Sequence, residues 1–172
     1  MELRFIAPEL RQLDTVGAEV LACAVFSDQL PPRGMVGLVD WRMAARLSRY
    51  LDAGDITGEV GEVVLIPGKP RIPFEKLLLF GAGASQQFDE EAYLDVIGRM
   101  LKSLASLKVR MAVVERPGRW LSALEPMRAM ELLLRTCSDQ GEQDVWTLIE
   151  APDEQKLITQ HLAEERRRKR MR

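Results

Sequence analysis

The stretch LLLFGAGASQQFDEEAY (Leu77–Tyr93) carries the signals of a strand, a turn and a helix in direct succession. Four consecutive apolar residues precede Gly81 and Gly83, which is typical of a strand covered on both faces that leaves its sheet through a tight turn. Asp89 then precedes two glutamates, the pattern of a capped helix start. This order predicts a βα unit, the repeating element of α/β folds.

Five other apolar runs have the length and composition of strands. The full set of predicted strands is Leu3–Ala7, Glu19–Phe26, Glu62–Pro67, Lys76–Gly81, Val109–Glu115 and Asp144–Glu150. Most are apolar at successive positions, which indicates a sheet covered by helices on both faces. The segment IPGKPRIPF (66–74) joins two of the strands with too few residues for a helix, so it predicts an antiparallel step within a mixed sheet.

Apolar residues recur at helical spacing between these strands. The first predicted helix is capped by Asp40, has Trp41 on its apolar face and ends at Gly54; the segment before it, SDQLPPRGMVG (27–37), is predicted to be a connection. Further helices are predicted from Asp89, near Pro126 and near Pro152, and the methionines after Pro126 are expected to pack in the core. This alternation predicts a three-layer α/β/α sandwich with a mixed central sheet.

The size and composition of the chain favour a single domain spanning residues 1–172. Of its 172 residues, 47% are hydrophobic and 29% are charged, and the formal net charge is −2. No apolar run reaches the length of about 18 residues that a membrane-spanning helix needs, and the amino terminus lacks a signal-peptide pattern, so we expect a cytoplasmic location. Cys23 and Cys137 lie in apolar runs, which predicts buried thiols.

Positive charge is concentrated at the end of the sequence. The cations are Arg166, Arg167, Arg168, Lys169, Arg170 and Arg172. We predict a basic helical tail over about residues 164–172, in which the cations complement the negative end of the helix dipole. The alternative is an arm that binds DNA phosphates.

The glycine loop after the fourth strand is the candidate ligand site. Its residues are Gly81, Ala82, Gly83, Ala84 and Ser85. A dinucleotide fingerprint requires glycine at the position of Gln86, and a P-loop requires Gly-Lys-Ser/Thr, so both named phosphate motifs fail. Glutamates in the first turn of the next helix would also repel a phosphate. A structural turn is the favoured interpretation, and a ligand-binding loop at the carboxyl end of a strand is the alternative.

Residues that could carry catalysis or bind a metal are scarce in this sequence. The single histidine, His161, is predicted on the apolar face of the last helix, where a packing or surface role is favoured over that of a base or ligand. Asp52 and Asp55 lie among glycines that predict a turn between a helix and a strand. We therefore predict no catalytic residues, no metal site and no cofactor.

Three segments together resemble the amino-terminal domain of the leucyl (cytosol) aminopeptidase family. They are LSRYLDAGDITGEVGEVVLIP (47–67), EKLLLFGAGASQQFDEEAYLDVIGRMLKSL (75–104) and VRMAVVERPG (109–118), and the matching positions are Gly54, Asp55, Gly58, Gly61, Glu62, Gly81 and Gly83. The resemblance implies a macro-domain-like fold. It also implies that the family's metal ligands and catalytic segment belong to a separate carboxyl-terminal domain. None of their motifs occurs in this sequence.

Three functions follow from this resemblance and from the residues. The first is a non-catalytic domain that acts through protein contacts, as a homo-oligomer or docked on a catalytic aminopeptidase partner. The second is a macro-domain-like module that binds ADP-ribose or a related nucleotide through Gly81–Ser85. The third is DNA binding through the basic tail.

Overall fold

The computed structural model describes residues 2–140 and 145–170. Six strands form one sheet in the order β1-β6-β5-β2-β4-β3. They are β1 (Glu2–Ile6), β2 (Val20–Val25), β3 (Val63–Pro67), β4 (Lys76–Gly81), β5 (Met111–Glu115) and β6 (Val145–Ile149). All neighbours run parallel except β3 and β4, which are antiparallel. The six predicted strands and the mixed sheet are confirmed, while Asp144 lies outside the described residues.

The described residues also form six α-helices, of which five lie between strands and the last follows β6. They are α1 (Leu10–Thr15), α2 (Gly34–Arg42), α3 (Arg46–Ala53), α4 (Glu90–Ser106), α5 (Pro126–Gln140) and α6 (Pro152–Arg170). The predicted starts of α4, α5 and α6 are confirmed. Asp89 caps α4 by accepting a hydrogen bond from the Ala92 N–H at 3.0 Å. The sequence did not signal α1, which is short and buries Leu13.

The prediction of a single helix that begins after Asp40 is wrong in its first half. Two helices occupy this region because Ala44 and Ala45 adopt left-handed conformations, with φ of 56° and 57°. Asp40 lies inside α2, and its buried carboxylate accepts hydrogen bonds from the Leu47 N–H at 2.7 Å and the Ser48 N–H at 3.1 Å. It therefore caps α3 across the break. Trp41, predicted on the apolar face, is 74% exposed, and part of the predicted connection 27–37 belongs to α2.

Two apolar cores lie on opposite faces of the sheet. Val20, Ala22 and Ala24 of β2 face the core that contains residues of α4, α5 and α6, whereas the alternate β2 residues face the core that contains residues of α1, α2 and α3. The three-layer α/β/α sandwich is thus confirmed. Cys23 and Cys137 are buried free thiols, and Met130 packs in the core as expected. Within residues 2–140 and 145–170, no helix has the length and apolar character needed to cross a bilayer.

Candidate functional site

β5 and β2 are neighbours in the sheet, but the chain leaves them toward opposite sides of it. The loops after these two strands therefore diverge at the carboxyl edge of the sheet. The β2 side continues to β4 and β3, and the β5 side continues to β6 and β1. Open α/β sheets usually bind their ligands in the crevice at such a switch point. We therefore define the candidate site as the crevice between the loop after β2 and the loop after β5.

Aromatic side chains fill this crevice. The Phe26 ring meets the Trp120 ring edge-on at a centroid distance of 5.8 Å and the Phe88 ring at 5.1 Å. The Arg33 guanidinium lies 5.8 Å from the centre of the Trp120 ring, within the range of a cation–π contact. The cavity left beside these side chains has a volume of about 10 Å³. This is room for about one water molecule.

Gly34 allows Trp120 to occupy the crevice. It opens α2 with a positive φ of 62°, and a Cβ at this position would lie 2.5 Å from Cδ1 of Trp120. A side chain here would therefore displace the indole ring as well as strain the backbone. The fit between Gly34 and Trp120 joins the start of α2 to the turn after β5.

Buried charges lie beside the aromatic side chains. Glu115, the last residue of β5, accepts a hydrogen bond from the Met35 N–H at 3.0 Å and lies 3.3 Å from Nη2 of Arg119. Burial raises the pKa of Glu115 even though Arg119 and the Met35 N–H favour its ionised form. The Glu115 side chain thus supplies a hydrogen-bond acceptor for the buried Met35 N–H, in the first turn of α2.

Arg116 and Glu150 form a buried ion pair between the ends of β5 and β6. Nε of Arg116 donates to Oε1 of Glu150 at 2.8 Å and Nη2 donates to Oε2 at 3.2 Å, with the two side chains 2% and 0% exposed. Glu154 of α6 lies 3.6 Å from the same guanidinium. Burial raises the pKa of Glu150 to about 7, although the pairing with Arg116 opposes that shift. Burial alone would lower the pKa of Arg116. The pairing with Glu150 outweighs this effect, so the pKa of Arg116 is raised.

The predicted glycine loop lies next to this crevice, after β4. Four of its backbone N–H groups donate hydrogen bonds within the protein. They are those of Gly81 to the Glu62 carbonyl (2.9 Å), Ala82 to the Val25 carbonyl (2.8 Å), Gly83 to the Gly58 carbonyl (2.8 Å) and Ser85 to the Asp28 carboxylate (3.0 Å). A Cβ at Gly81 would lie 1.9 Å from the Glu59 carbonyl oxygen. Glycine at this position therefore permits close packing of the turn before β3. A ligand role for Gly81–Ser85 stays a prediction.

Asp28 anchors the far end of that loop. Its carboxylate accepts hydrogen bonds from the N–H and, at 2.7 Å, the hydroxyl of Ser85, and Gln29 donates to the same hydroxyl at 3.3 Å. Burial would raise the pKa of Asp28, but the hydrogen bonds from Ser85 outweigh it and hold the pKa below its ordinary value. The loops after β2 and β4 are thereby tied together.

The other sequence candidates lie away from the crevice. His161 of α6 is 30% exposed, with Nε2 at 3.8 Å from a Glu131 carboxylate oxygen. Asp52 and Asp55 are exposed at the end of α3, where Gly54 ends the helix with φ of 77°. No group of three metal-ligating side chains occurs in the part of the chain that the structure describes.

The basic tail is helical through Arg170, and Arg167 is exposed. The side chains of Arg166, Arg168, Lys169 and Arg170, and the whole of Arg172, lie outside the described residues. The DNA-binding alternative therefore stays a prediction.

Sequence reasoning did not single out Glu115, Arg116, Trp120 or Glu150. A usable signal existed, because charged residues directly follow the apolar runs of β5 and β6 in VVER and LIE. A charge at the end of a buried strand either contacts solvent at the sheet edge or pairs with another buried charge. Here the charges pair.

The sequence matches the model of the cytosol aminopeptidase family, N-terminal domain, over residues 24–129. The chain belongs to this family. Two similar relatives are both named probable cytosol aminopeptidase. The Haemophilus ducreyi protein is 29% identical over 113 residues, which cover 66% of this chain and 22% of the relative. The Idiomarina loihiensis protein is 34% identical over 85 residues, covering 48% and 17%. The chain thus spans about a fifth of the length of these aminopeptidases, and the predicted family resemblance is confirmed.

Solved structures with this fold include macrodomains and an aminopeptidase. A macrodomain mutant of Oceanobacillus iheyensis has a TM-score of 0.71 at 12% identity, with 96% of this chain and 93% of that chain covered. The macrodomain of Mycobacterium tuberculosis DarG has a TM-score of 0.67 at 11% identity, covering 87% and 98%. A mutant of tomato leucine aminopeptidase has a TM-score of 0.64 at 12% identity, covering 92% of this chain and 35% of that one. The macro-domain-like fold is therefore confirmed.

Replacing Gly81 with alanine tests whether the glycine loop is held by packing. The new Cβ would meet a backbone oxygen at 1.9 Å, so we expect Gly81→Ala to lower the free energy of unfolding by at least about 2 kcal/mol. Gly98→Ala is the matched control, because Gly98 lies in α4 with nothing within 4 Å of its Cβ position. That change should raise stability by about 0.5–1 kcal/mol. Equal effects of the two substitutions in urea unfolding would contradict this account.

The pH dependence of stability tests the environment of Glu150. Because its pKa is about 7 in the folded protein, against an ordinary 4.5, its contribution to stability is fully present below pH 4.5 and is lost as the pH rises through 7. The unfolding free energy of wild type relative to Glu150→Gln should therefore fall by about 2 kcal/mol between pH 5 and pH 8. Glu164→Gln, at an exposed position of α6, should retain the wild-type slope. Parallel profiles for wild type and Glu150→Gln would refute the assignment.

Proposed function

We propose that this chain is a non-catalytic aminopeptidase-type amino-terminal domain that acts in protein interaction or oligomer assembly. The observation that carries the proposal is the exposure of apolar side chains at one edge of the sheet. Val60, Val63 and Leu65 all lie on β3 or in the turn before it, and all are exposed. Groups of exposed apolar residues mark surfaces that contact other proteins.

The filled crevice supports the same proposal. In a domain of this fold, the switch point is the expected place for a small ligand. Here Phe26, Trp120 and Arg33 leave a cavity of only about 10 Å³, whereas small-molecule sites usually have volumes of about 300 Å³ or more. A domain with its crevice closed by its own side chains is better suited to contacts made by its outer surface.

The test combines an activity assay with a measurement of mass. The purified chain is assayed for hydrolysis of leucine p-nitroanilide with Mn²⁺ or Zn²⁺, and its mass is measured by light scattering alone and with the full-length cytosol aminopeptidase of the same organism. We expect no hydrolysis, together with either a homo-oligomer or a complex with the aminopeptidase. Metal-dependent turnover, or a monomer that forms no complex with the aminopeptidase, would contradict the proposal.

Binding of ADP-ribose is the second candidate function, favoured by the fold. One structural neighbour is an O. iheyensis macrodomain mutant solved with ADPR, with a TM-score of 0.68 at 13% identity. At that identity the likeness concerns the fold alone. Binding within the crevice would require the Trp120 ring to leave it, whereas binding by Gly81–Ser85 could also use the cavity of about 360 Å³ beside Ala82.

Titration with ADP-ribose decides between the two candidates. We expect no heat of binding and no change in melting temperature for wild type, because Trp120 fills the crevice. Trp120→Ala, which empties it, is compared with Trp41→Ala, which removes an exposed indole elsewhere. Stabilisation of wild type by ADP-ribose would favour the nucleotide-binding function, and stabilisation of Trp120→Ala alone would show that the indole ring excludes the ligand.

A further inference from the structure

Strand β3 forms one edge of the sheet and has a single described neighbour, β4. Gly81 N–H donates to the Glu62 carbonyl at 2.9 Å and Gly68 N–H donates to the Glu75 carbonyl at 3.0 Å, at either end of the β3–β4 ladder. Because backbone groups alternate in direction along an antiparallel ladder, the N–H and C=O groups of Val63 and Leu65 point outward from the sheet. Pro67 follows them and has no N–H to offer.

The side chains at these outward positions are apolar. Val63 is 44% exposed and Leu65 is 48% exposed, and their partners Phe80 and Leu78 place both on the α4 face of the sheet. Exposed edge strands normally carry charged residues at such positions, which prevents pairing with another strand. Val63 and Leu65 lack such charges.

Charges of opposite sign flank the strand. Glu59 lies before β3 and Lys69 and Arg71 lie after it, and all three are exposed. When two identical strands pair antiparallel, the acidic end of one lies beside the basic end of the other. The strand is therefore complementary to a second copy of itself in backbone direction, in apolar side chains and in charge.

We propose that two copies of this chain associate through antiparallel pairing of their β3 edges, which joins the two sheets. This inference rests on the proposed assembly function and names its surface and partner. Val63 of each copy lies opposite Leu65 of the second copy, and each such pair exchanges two N–H···O hydrogen bonds. Glu59 precedes β3 and its adjoining turn, and Lys69 lies in the turn after β3, so the pairing brings Glu59 of one copy near Lys69 of the second copy. A two-fold axis repeats both sets of contacts.

The two faces of β3 differ beside the sheet edge. On the α3 side an open groove of about 260 Å³ lies between Tyr50 of α3 and residues 64–67. On the other face, the exposed side chains of Val63 and Leu65 from both copies would form one apolar cluster. Such same-face pairs across an antiparallel ladder stabilise it.

The first test is sedimentation equilibrium of the whole chain over a wide range of concentration. We expect wild type to form a reversible dimer, and Leu65→Lys to raise its dissociation constant by at least about tenfold, because a lysine at an edge position opposes strand pairing. Leu157→Lys is the matched control, since Leu157 is a similarly exposed leucine on α6, and it should leave the constant unchanged. Melting curves establish that both variants fold.

Charge reversal tests the register of the pairing. Glu59→Lys and Lys69→Glu should each weaken dimerisation alone, because each brings like charges near one another at both ends of the dimer. An equimolar mixture of the two variants should dimerise as wild type does, since the charges that meet at each end of the mixed dimer are then opposite. High salt should reduce these differences.

The possible outcomes separate this inference from the proposed function. A dimer that Leu65→Lys leaves intact, or a mixture of charge variants that stays monomeric, would overturn the β3 pairing while leaving assembly through another surface. A monomeric wild type that binds the full-length aminopeptidase, with binding lost in Leu65→Lys, would also overturn self-pairing and assign the edge to that enzyme. A monomer that binds neither would overturn both proposals.

Discussion

The burial of β2 on both faces is the constraint on which the rest of the domain depends. All six of its residues are buried, and they alternate between the two cores. A strand in this position obtains its backbone hydrogen bonds only from neighbouring strands, so β4 and β5 must both pair with it. Helices must then cover both faces, and parallel neighbours require crossover connections long enough to hold those helices. The layers of the molecule follow from this one strand.

The same burial determines how the carboxyl edge of the sheet is built. The charged residues at the ends of β5 and β6 lie next to the core. They need partners there, because an unpaired buried charge is costly. Arg116 therefore pairs with Glu150, while Glu115 accepts from the Met35 N–H and contacts Arg119. Phe26, Phe88 and Trp120 close the space beside them. In this domain, the crevice at the switch point is occupied by contacts between the loops themselves. Exposed apolar side chains lie at the β3 edge of the sheet instead.

The sequence predicted those parts of the fold that depend on local pattern. Each apolar run became a strand, and the short connection 66–74 correctly indicated the antiparallel step between β3 and β4. The break between α2 and α3 could not be predicted, because MAAR (43–46) contains neither glycine nor proline. The left-handed alanines there are accompanied by a cap from the Asp40 side chain, which precedes the break and bonds to the start of α3. The pairing of Arg116 with Glu150, 34 residues apart in sequence, becomes visible only when β6 is known to lie beside β5. The contact of Trp120 with Phe26 likewise depends on two loops that meet only in the folded chain.

The position of β1 has a consequence for the order in which the chain folds. β1 precedes the other described strands in the sequence, yet among them it pairs with β6 alone, and the Ile6 carbonyl also accepts the Glu150 N–H. While the chain emerges from the ribosome, β2 to β5 can assemble around their shared cores, but residues 2–6 have no ladder to join until residue 149 appears. Contacts between such distant segments are slow to form, because a long loop must close before they are made. β1 should therefore join the sheet only once β6 has been made, and until then its apolar residues Leu3, Phe5 and Ile6 remain available to chaperones.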